Sequence, residues 1–147
     1  MSNQQQRTRA ALWLVGLHFL VVVAHSAAHE VLQVKATRAQ LAFIVPVIIV
    51  APLAAGLWLL KSRRAGAALL LSSMLGSLVF GLYYHFVADT IDHVAHVARL
   101  DPAGWSLTFR ATAYLLLLTE ALGAAAAGSL LAGAARPPEH YAARTGL

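Results

Sequence analysis

The amino-acid sequence predicts an all-α protein, an integral membrane four-helix bundle. Hydrophobic residues make up 59% of the 147-residue chain and charged residues only 12%, against roughly half and about a quarter in a typical soluble domain. The mean hydropathy is +0.68, and four apolar runs each reach the ~20 residues that cross a bilayer as a helix. The composition argues against a soluble enzyme, a coiled coil or a disordered chain.

The first two apolar runs are expected to be spans at about residues 10–34 and 41–60. A bilayer offers the backbone no hydrogen-bond partners, so each run should be helical. Two arginines precede the first run, as in a secretory signal peptide, but we interpret it as a retained span. The second run contains Pro46 and Pro52, each of which removes a backbone donor and can kink a helix.

The third and fourth spans are expected at about residues 66–98 and 107–135. The third run is apolar to about Ala88 and continues in a polar stretch that we assign to the same helix. Asp101–Pro102 has the residue order of a helix start, and the small residues of the fourth run permit close helix contact. We expect residues 1–147 to form a single transmembrane domain, with a loosely ordered tail at 136–147.

The short connections predict an up-down-up-down order, and the distribution of basic residues predicts the orientation. The side that carries both termini holds Arg7, Arg9, Lys61, Arg63, Arg64, Arg136 and Arg144. The opposite side holds Lys35, Arg38, Arg99 and Arg110. This bias places both termini in the cytoplasm, in a membrane of the bacterial inner or plasma membrane type.

Charge and cysteine content narrow the function classes further. The formal net charge of +5 comes from basic residues that lie between and beside apolar runs, where they indicate topology and headgroup contacts instead of a nucleic-acid partner. The chain has no cysteine, which excludes disulfides, iron–sulfur clusters and thiol catalysis. The expected partners are the lipid bilayer, a hydrophobic small molecule, and further copies or subunits of a membrane complex.

Histidines and carboxylates form two polar stripes at helical spacing. The first polar stripe is His18, His25 and His29, whose directions fall within about 40° of one another on a helix. The second polar stripe is His85, Asp89, Asp92 and His96, spread over roughly 60°, with His93 at its edge. An Asp at the centre of a membrane helix costs about 2.5–3.5 kcal/mol, so such groups should face the bundle interior and find partners.

The two polar stripes predict a metal site near the outer end of the bundle. Neutral imidazole and carboxylate suit zinc or iron, whereas Cu(I) favours Cys and Met. The expected ligands of one or two ions are His18, His25, His29, His85, Asp89, Asp92, His93 and His96. We assign catalytic roles to Glu120, deep in the fourth helix, and to Tyr84, next to His85. The glutamate follows the second histidine of His25-x-x-x-His29, which removes the H-E-x-x-H protease interpretation.

The leading hypothesis is a small membrane metalloenzyme, a hydrolase or an oxidoreductase, acting on an amphiphilic or lipid-soluble substrate. One alternative is a metal-ion or proton transporter, which deep ionisable residues would suit. Another is a b-type subunit that holds haem between histidines of facing helices. A hydrogen-bonded polar core in a structural subunit is the remaining interpretation. The concentration of polar groups at one end favours a fixed site over a pathway.

Overall fold

The computed structural model describes residues 3–100 and 104–134, and within them every regular element is helical. The chain runs through α1 (Asn3–Val31), α2 (Arg38–Leu59), α3 (Arg63–Val87), the short α4 (Val94–Val97) and α5 (Trp105–Ala134). Within this described part, α1, α2, α3 and α5 are the helices long and apolar enough to cross a membrane. The all-α prediction is therefore confirmed, with four helices among the described residues long and apolar enough to span a membrane. The up-down-up-down order across a membrane and the side on which the termini lie stay predictions.

Consecutive long helices pack with their residue numbers running in opposite directions. Along α1 and α5, His18 meets Thr119 and His25 meets Thr112. Along α2 and α3, the rings of Phe43 and Phe80 stack. The α2–α3 connection is tight: a Cβ added at Gly66 would lie 2.5 Å from the Leu59 backbone nitrogen, so only glycine fits there.

The bundle core divides into an apolar end and a histidine-rich end. At the end near Arg63, the core consists of Ala11, Val15, Ala55, Leu59, Ala67, Leu70, Met74, Ala124, Ala127 and Leu130. At the opposite end, Phe109 and Val97 are fully buried with Ala28 and Val34. The buried polar side chains of α1 lie between these clusters and beside the second one.

The middle of α2 is a π-helical segment, Ile44–Val50. Pro46 lies within it and has no N–H to donate, so the normal hydrogen-bond ladder cannot continue through this position. The Ala51 N–H accordingly reaches back to the Pro46 carbonyl, one residue further than in an α-helix. The prolines of α2 thus widen the helix, and the Ile48 carbonyl lies within 3.3 Å of the His18 ring.

The third helix ends at Val87, not near residue 98. Its last turn, Tyr83–Val87, is π-helical, and Ala88 takes an extended conformation with ψ of 134°. Residues 88–93 then form turns before the four-residue α4. The second polar stripe requires a helix that continues past Val87. Because the helix ends there, Asp89, Asp92 and His96 do not share a helix face with His85.

Candidate metal centre

Three of the predicted ligands converge in the structure: His25, His29 and His85. We call them the histidine cluster. The His25 Nε2 atom lies 3.2 Å from His85 Nε2 and 3.2 Å from His29 Nε2. One ligand atom from each ring lies within 4.8 Å of the other two. His25 and His85 are buried, and His29 is partly buried.

The outer nitrogen of each ring has an oxygen acceptor. His29 Nδ1 lies 2.7 Å from the Val34 carbonyl, and His85 Nδ1 lies 3.0 Å from the Asp92 carbonyl. A carbonyl only accepts, so both Nδ1 atoms carry the proton. His25 Nδ1 lies 2.8 Å from Thr112 Oγ1, and this hydroxyl already donates to the Thr108 carbonyl at 2.7 Å. With the Thr112 hydroxyl donating to that carbonyl, His25 Nδ1 is the donor to Thr112 Oγ1.

This hydrogen bonding fixes the chemistry of the centre. A neutral imidazole has one N–H, and when His25 carries it on Nδ1, all three N–H groups of the histidine cluster point outward. In that state the three Nε2 lone pairs face one another, whereas a proton on His25 Nε2 would be donated to His29 or His85. Three acceptors in such contact repel unless a cation lies among them, and outward Nδ1–H bonds that aim Nε2 inward are the usual support of metal-binding histidines.

The spacing suits a first-row transition metal. Zinc–nitrogen bonds of about 2.0–2.1 Å in tetrahedral geometry place two ligand nitrogens about 3.3 Å apart. The two Nε2 separations at His25 are both 3.2 Å. The histidine cluster could therefore hold a metal ion, with two nitrogen separations close to the tetrahedral value and all three within 4.8 Å.

Phe109 forms an apolar wall against the histidine cluster. Its ring centroid lies 4.6 Å from that of His25, 4.7 Å from His29 and 5.4 Å from His85, and the side chain is fully buried. The ring contributes no hydrogen-bonding group. It excludes water from one side of the imidazoles, which strengthens electrostatic interactions there.

Asp92 is close to the centre, but through its backbone. Its carbonyl accepts from His85, while its side-chain Oδ2 accepts from Gln40 Nε2 at 3.0 Å. Gln40 is itself fixed at the start of α2 by a reciprocal capping box with Thr37. Asp92 Oδ1 is buried without a hydrogen-bond partner. α2 thus holds the 88–93 segment over His85.

The other predicted ligands of the second stripe lie outside the histidine cluster. The Asp89 side chain is 92% exposed and pairs with His96 Nε2 at 3.3 Å. His96 Nδ1 donates to the Thr90 carbonyl, and His93 accepts from the Ala95 N–H as the N-cap of α4. The chain leaves α3 at Val87, before it reaches these residues. Their contacts therefore stabilise the turns around α4 and do not point into the histidine cluster.

His18 belongs to a separate buried contact. Its Nε2 lies 3.3 Å from the Ile48 carbonyl and its Nδ1 lies 3.3 Å from Thr119 Oγ1. Both ring nitrogens therefore have partners from α2 and α5. The first polar stripe does lie on one helix, but His18 stands seven residues, about 10 Å, below His25 along α1.

A cavity of about 410 Å³ adjoins the histidine cluster. Its walls come from α1, α2, α3 and α5, and it includes Asp92 and Glu120. Glu120 is buried, and its Oε2 has no hydrogen-bond partner. Tyr84 does not line this cavity: its ring packs against Phe80 and Tyr83 instead. The arrangement thus keeps Glu120 as a candidate acid or base and gives no support to Tyr84.

Sequence reasoning missed the residues that orient the rings. Thr112 is one of several hydroxyl residues in an apolar helix. Its contact with His25 joins two helices that are far apart in sequence, so the sequence alone does not predict it. The Val34 and Asp92 carbonyls belong to no motif. Gln40 had a readable signal, because Thr37-x-x-Gln40 fits the capping-box pattern, but its bond to Asp92 had none.

Comparison with known proteins identifies no relative: no family model, curated protein or solved structure matches the chain. The function therefore has to be argued from the chemistry of the site.

Proposed function

We propose that this chain is a small integral-membrane metalloenzyme that holds one transition-metal ion at the histidine cluster. The ligands are the Nε2 atoms of His25, His29 and His85. The observation that carries the proposal is the outward hydrogen bond of every Nδ1. It leaves three lone pairs converging on one point, an arrangement that a cation satisfies.

Three protein ligands beside a cavity are typical of a catalytic centre. Structural zinc sites are closed by four protein ligands, whereas catalytic ones keep an open position for water or substrate. The cavity next to the histidine cluster offers that space. The bound ion would lower the pKa of its water or polarise a substrate oxygen. The carboxylates of Asp92 and Glu120, each with one oxygen that lacks a hydrogen-bond partner, line the same space.

The ligand set favours zinc or ferrous iron. Imidazole suits Zn, Cu, Fe and Ni, whereas Cu(I) is selected by thiolate and thioether ligands. The chain has no cysteine, and Met74 lies in the apolar cluster at the other end of the bundle. Zinc would make the protein a hydrolase, and iron would make it an oxidoreductase.

A fixed site is better supported than a transport path. A path needs polar groups through the membrane depth, but His18 has both nitrogens engaged. Below it, the described hydrophobic cluster consists of Ala, Val, Leu and Met side chains, and the buried Ser73 hydroxyl there bonds within its own helix. A haem between His25 and His85 is also poorly supported, because their Nε2 atoms are already 3.2 Å apart and a porphyrin would have to lie between them.

The proposed setting is a plasma or bacterial inner membrane, with the histidine cluster toward the extracytoplasmic side. This rests on the excess of Lys and Arg on the side of both termini. A lipid-soluble substrate would enter from the bilayer, with further copies or subunits as possible neighbours.

The direct test is metal content measured by elemental analysis after the protein is purified in detergent and loaded with Zn²⁺ or, without oxygen, with Fe²⁺. We expect close to one equivalent in the wild type and a large loss in His25→Asn, His29→Asn and His85→Asn. The matched control is His93→Asn, because Asn preserves the N-cap of α4. Equal metal content in all four variants would contradict the proposal.

Two alternatives have to be separated from a metalloenzyme. In the first, a proton shared among the rings gives the same hydrogen bonds without a metal. In the second, the protein is a carrier that binds metal without catalysis. X-ray absorption at the zinc edge separates the first alternative, since three nitrogens at about 2.0–2.1 Å are expected only for a His₃ ion. Zn²⁺ flux in proteoliposomes separates the second. Flux that disappears in His25→Asn would replace the enzyme proposal by a carrier.

A further inference from the structure

The cavity continues past the histidine cluster into a second polar region. We call it the inner pocket: Val22, Ile48, Ser77, Gly81, Leu116 and Glu120. Two of its polar atoms, Ser77 Oγ and Glu120 Oε2, are buried without a hydrogen-bond partner. Ser77 is 0% exposed and Glu120 is 1% exposed. Buried polar groups in proteins nearly always have partners, so two orphans in one pocket indicate a missing ligand.

The space around Glu120 is kept open by Gly81. A Cβ added at Gly81 would lie 3.7 Å from Glu120 Oε2, so any larger side chain would fill the room in front of the carboxyl group. Val22, Ile48 and Leu116 supply buried apolar walls. Ser77 lies one helical turn before Gly81 on the same face of α3, so a ligand here meets the Ser77 hydroxyl, the Glu120 carboxyl group and otherwise hydrocarbon.

The entrance of the cavity carries both charged and apolar side chains. The lining residues that are exposed lie at the end of α1, in the α1–α2 connection and at the start of α2: Ser26, Glu30, Lys35 and Leu41. Leu41 is 47% exposed. In the proposed membrane setting, Glu30 and Lys35 would lie at headgroup level. The buried apolar side chains farther in, Val22, Ile48 and Leu116, favour a molecule that is lipophilic apart from one polar group.

We infer that the inner pocket binds the hydroxyl group of a lipophilic alcohol, which is the substrate class of the proposed metal centre. A hydroxyl has one donor and two acceptor positions. It can donate to Glu120 and accept from Ser77, which satisfies both orphans with one group. A hydrocarbon satisfies neither.

The same geometry sets where the alcohol would react. His85 follows Gly81 by four residues on α3, one helical turn or about 6 Å along the axis. An alcohol held at Glu120 with its chain toward the entrance therefore passes the histidine cluster. The metal would face a position about 6 Å from the hydroxyl.

The test uses 1-octanol with octane and octylamine as comparison probes, measured by competition against a diazirine-bearing octanol whose labelled peptides are read by mass spectrometry. We expect saturable labelling of inner-pocket segments in the wild type, with and without metal. Glu120→Leu and Gly81→Val should weaken octanol competition about tenfold, the effect of one lost buried hydrogen bond. The control is Ser72→Ala, because Ser72 is exposed and bonds only within its own helix.

The inference would be overturned if octane competed as well as octanol, if octylamine competed better, or if Glu120→Leu and Ser77→Ala both kept wild-type competition. The inference rests on the proposed function only in treating the alcohol as the substrate of the metal centre; the binding of the alcohol is independent of it. Normal metal content in Glu120→Leu with lost octanol binding supports two separate subsites. Octanol binding in a protein that takes up no metal would keep the alcohol pocket and refute the metalloenzyme.

Discussion

Thr112→Val tests whether the hydrogen bond that orients His25 matters for metal binding. Valine has nearly the shape of threonine but cannot accept the His25 Nδ1 proton, which now lies 2.8 Å from Thr112 Oγ1 in a buried contact. Loss of such an orienting partner lowers metal affinity by about 10–100-fold. The apoprotein should also lose about 0.5–1.5 kcal/mol of stability, because a buried hydrogen bond is removed.

Thr119→Val provides a matched control on the same helix. Thr119 stands seven residues further along α5 and contacts His18 as Thr112 contacts His25. Both variants lose a hydroxyl that faces a buried histidine, but only Thr112 touches the histidine cluster. We would measure the Zn²⁺ dissociation constant by titration against a chromophoric chelator. If the two variants weaken Zn²⁺ binding equally, or if neither does, the assignment of His25 as an oriented ligand is wrong.

Three further outcomes follow from the same geometry. Zn²⁺ at 100 times its dissociation constant should stabilise the wild type by about 2.7 kcal/mol, seen as a higher melting temperature that His29→Asn does not show. Asp92→Ala frees the 88–93 segment from Gln40 and should weaken Zn²⁺ binding in the chelator titration, although its backbone carbonyl remains. Gly66→Ala should destabilise the bundle in thermal melts because its Cβ meets backbone at 2.5 Å, whereas Gly16→Ala, with nothing within 4 Å, should not.

The fold was predictable because hydrophobicity and length decide it. Four apolar runs correspond to four long helices, and a bilayer permits no other structure for them. The error lay at the end of α3, where the sequence after Ala88 keeps spacings of three and four residues. Those spacings are compatible with a helix, but the Asp92 side chain bonds Gln40 of α2, Asp89 pairs with His96, and His93 caps α4.

The site was predictable only in part, for a related reason. His25, His29 and His85 lie on long helices, where sequence spacing gives direction, and the structure brings these three together. Asp89 and His96 lie beyond the helix, where spacing gives no direction, and they pair with each other. His18 is on the correct stripe, but depth along α1 separates it from the histidine cluster. Sequence periodicity predicts the direction of a side chain around its own helix axis. It does not predict which residues of the neighbouring helices lie at the same depth in the bundle.

The helix ends beside the histidine cluster help to form the proposed metal site. Within a helix, backbone carbonyls are occupied by the N–H four residues on, so they are not free to orient a ligand. α1 ends at Val31, two residues after His29, and the chain turns through Gln33, whose φ is 55°. The Val34 carbonyl can then reach His29.

α3 ends in the same manner two residues after His85, and the returning chain presents the Asp92 carbonyl. A helix through residue 98 would have engaged that carbonyl with the His96 N–H and carried it about 10 Å away from His85. His25, in contrast, stands inside its helix and is oriented by a side chain, Thr112. Extending α3 through Ala88–His93 with strong helix formers should therefore reduce metal affinity even with all three imidazoles intact, because His85 would lose the acceptor that turns its Nε2 inward.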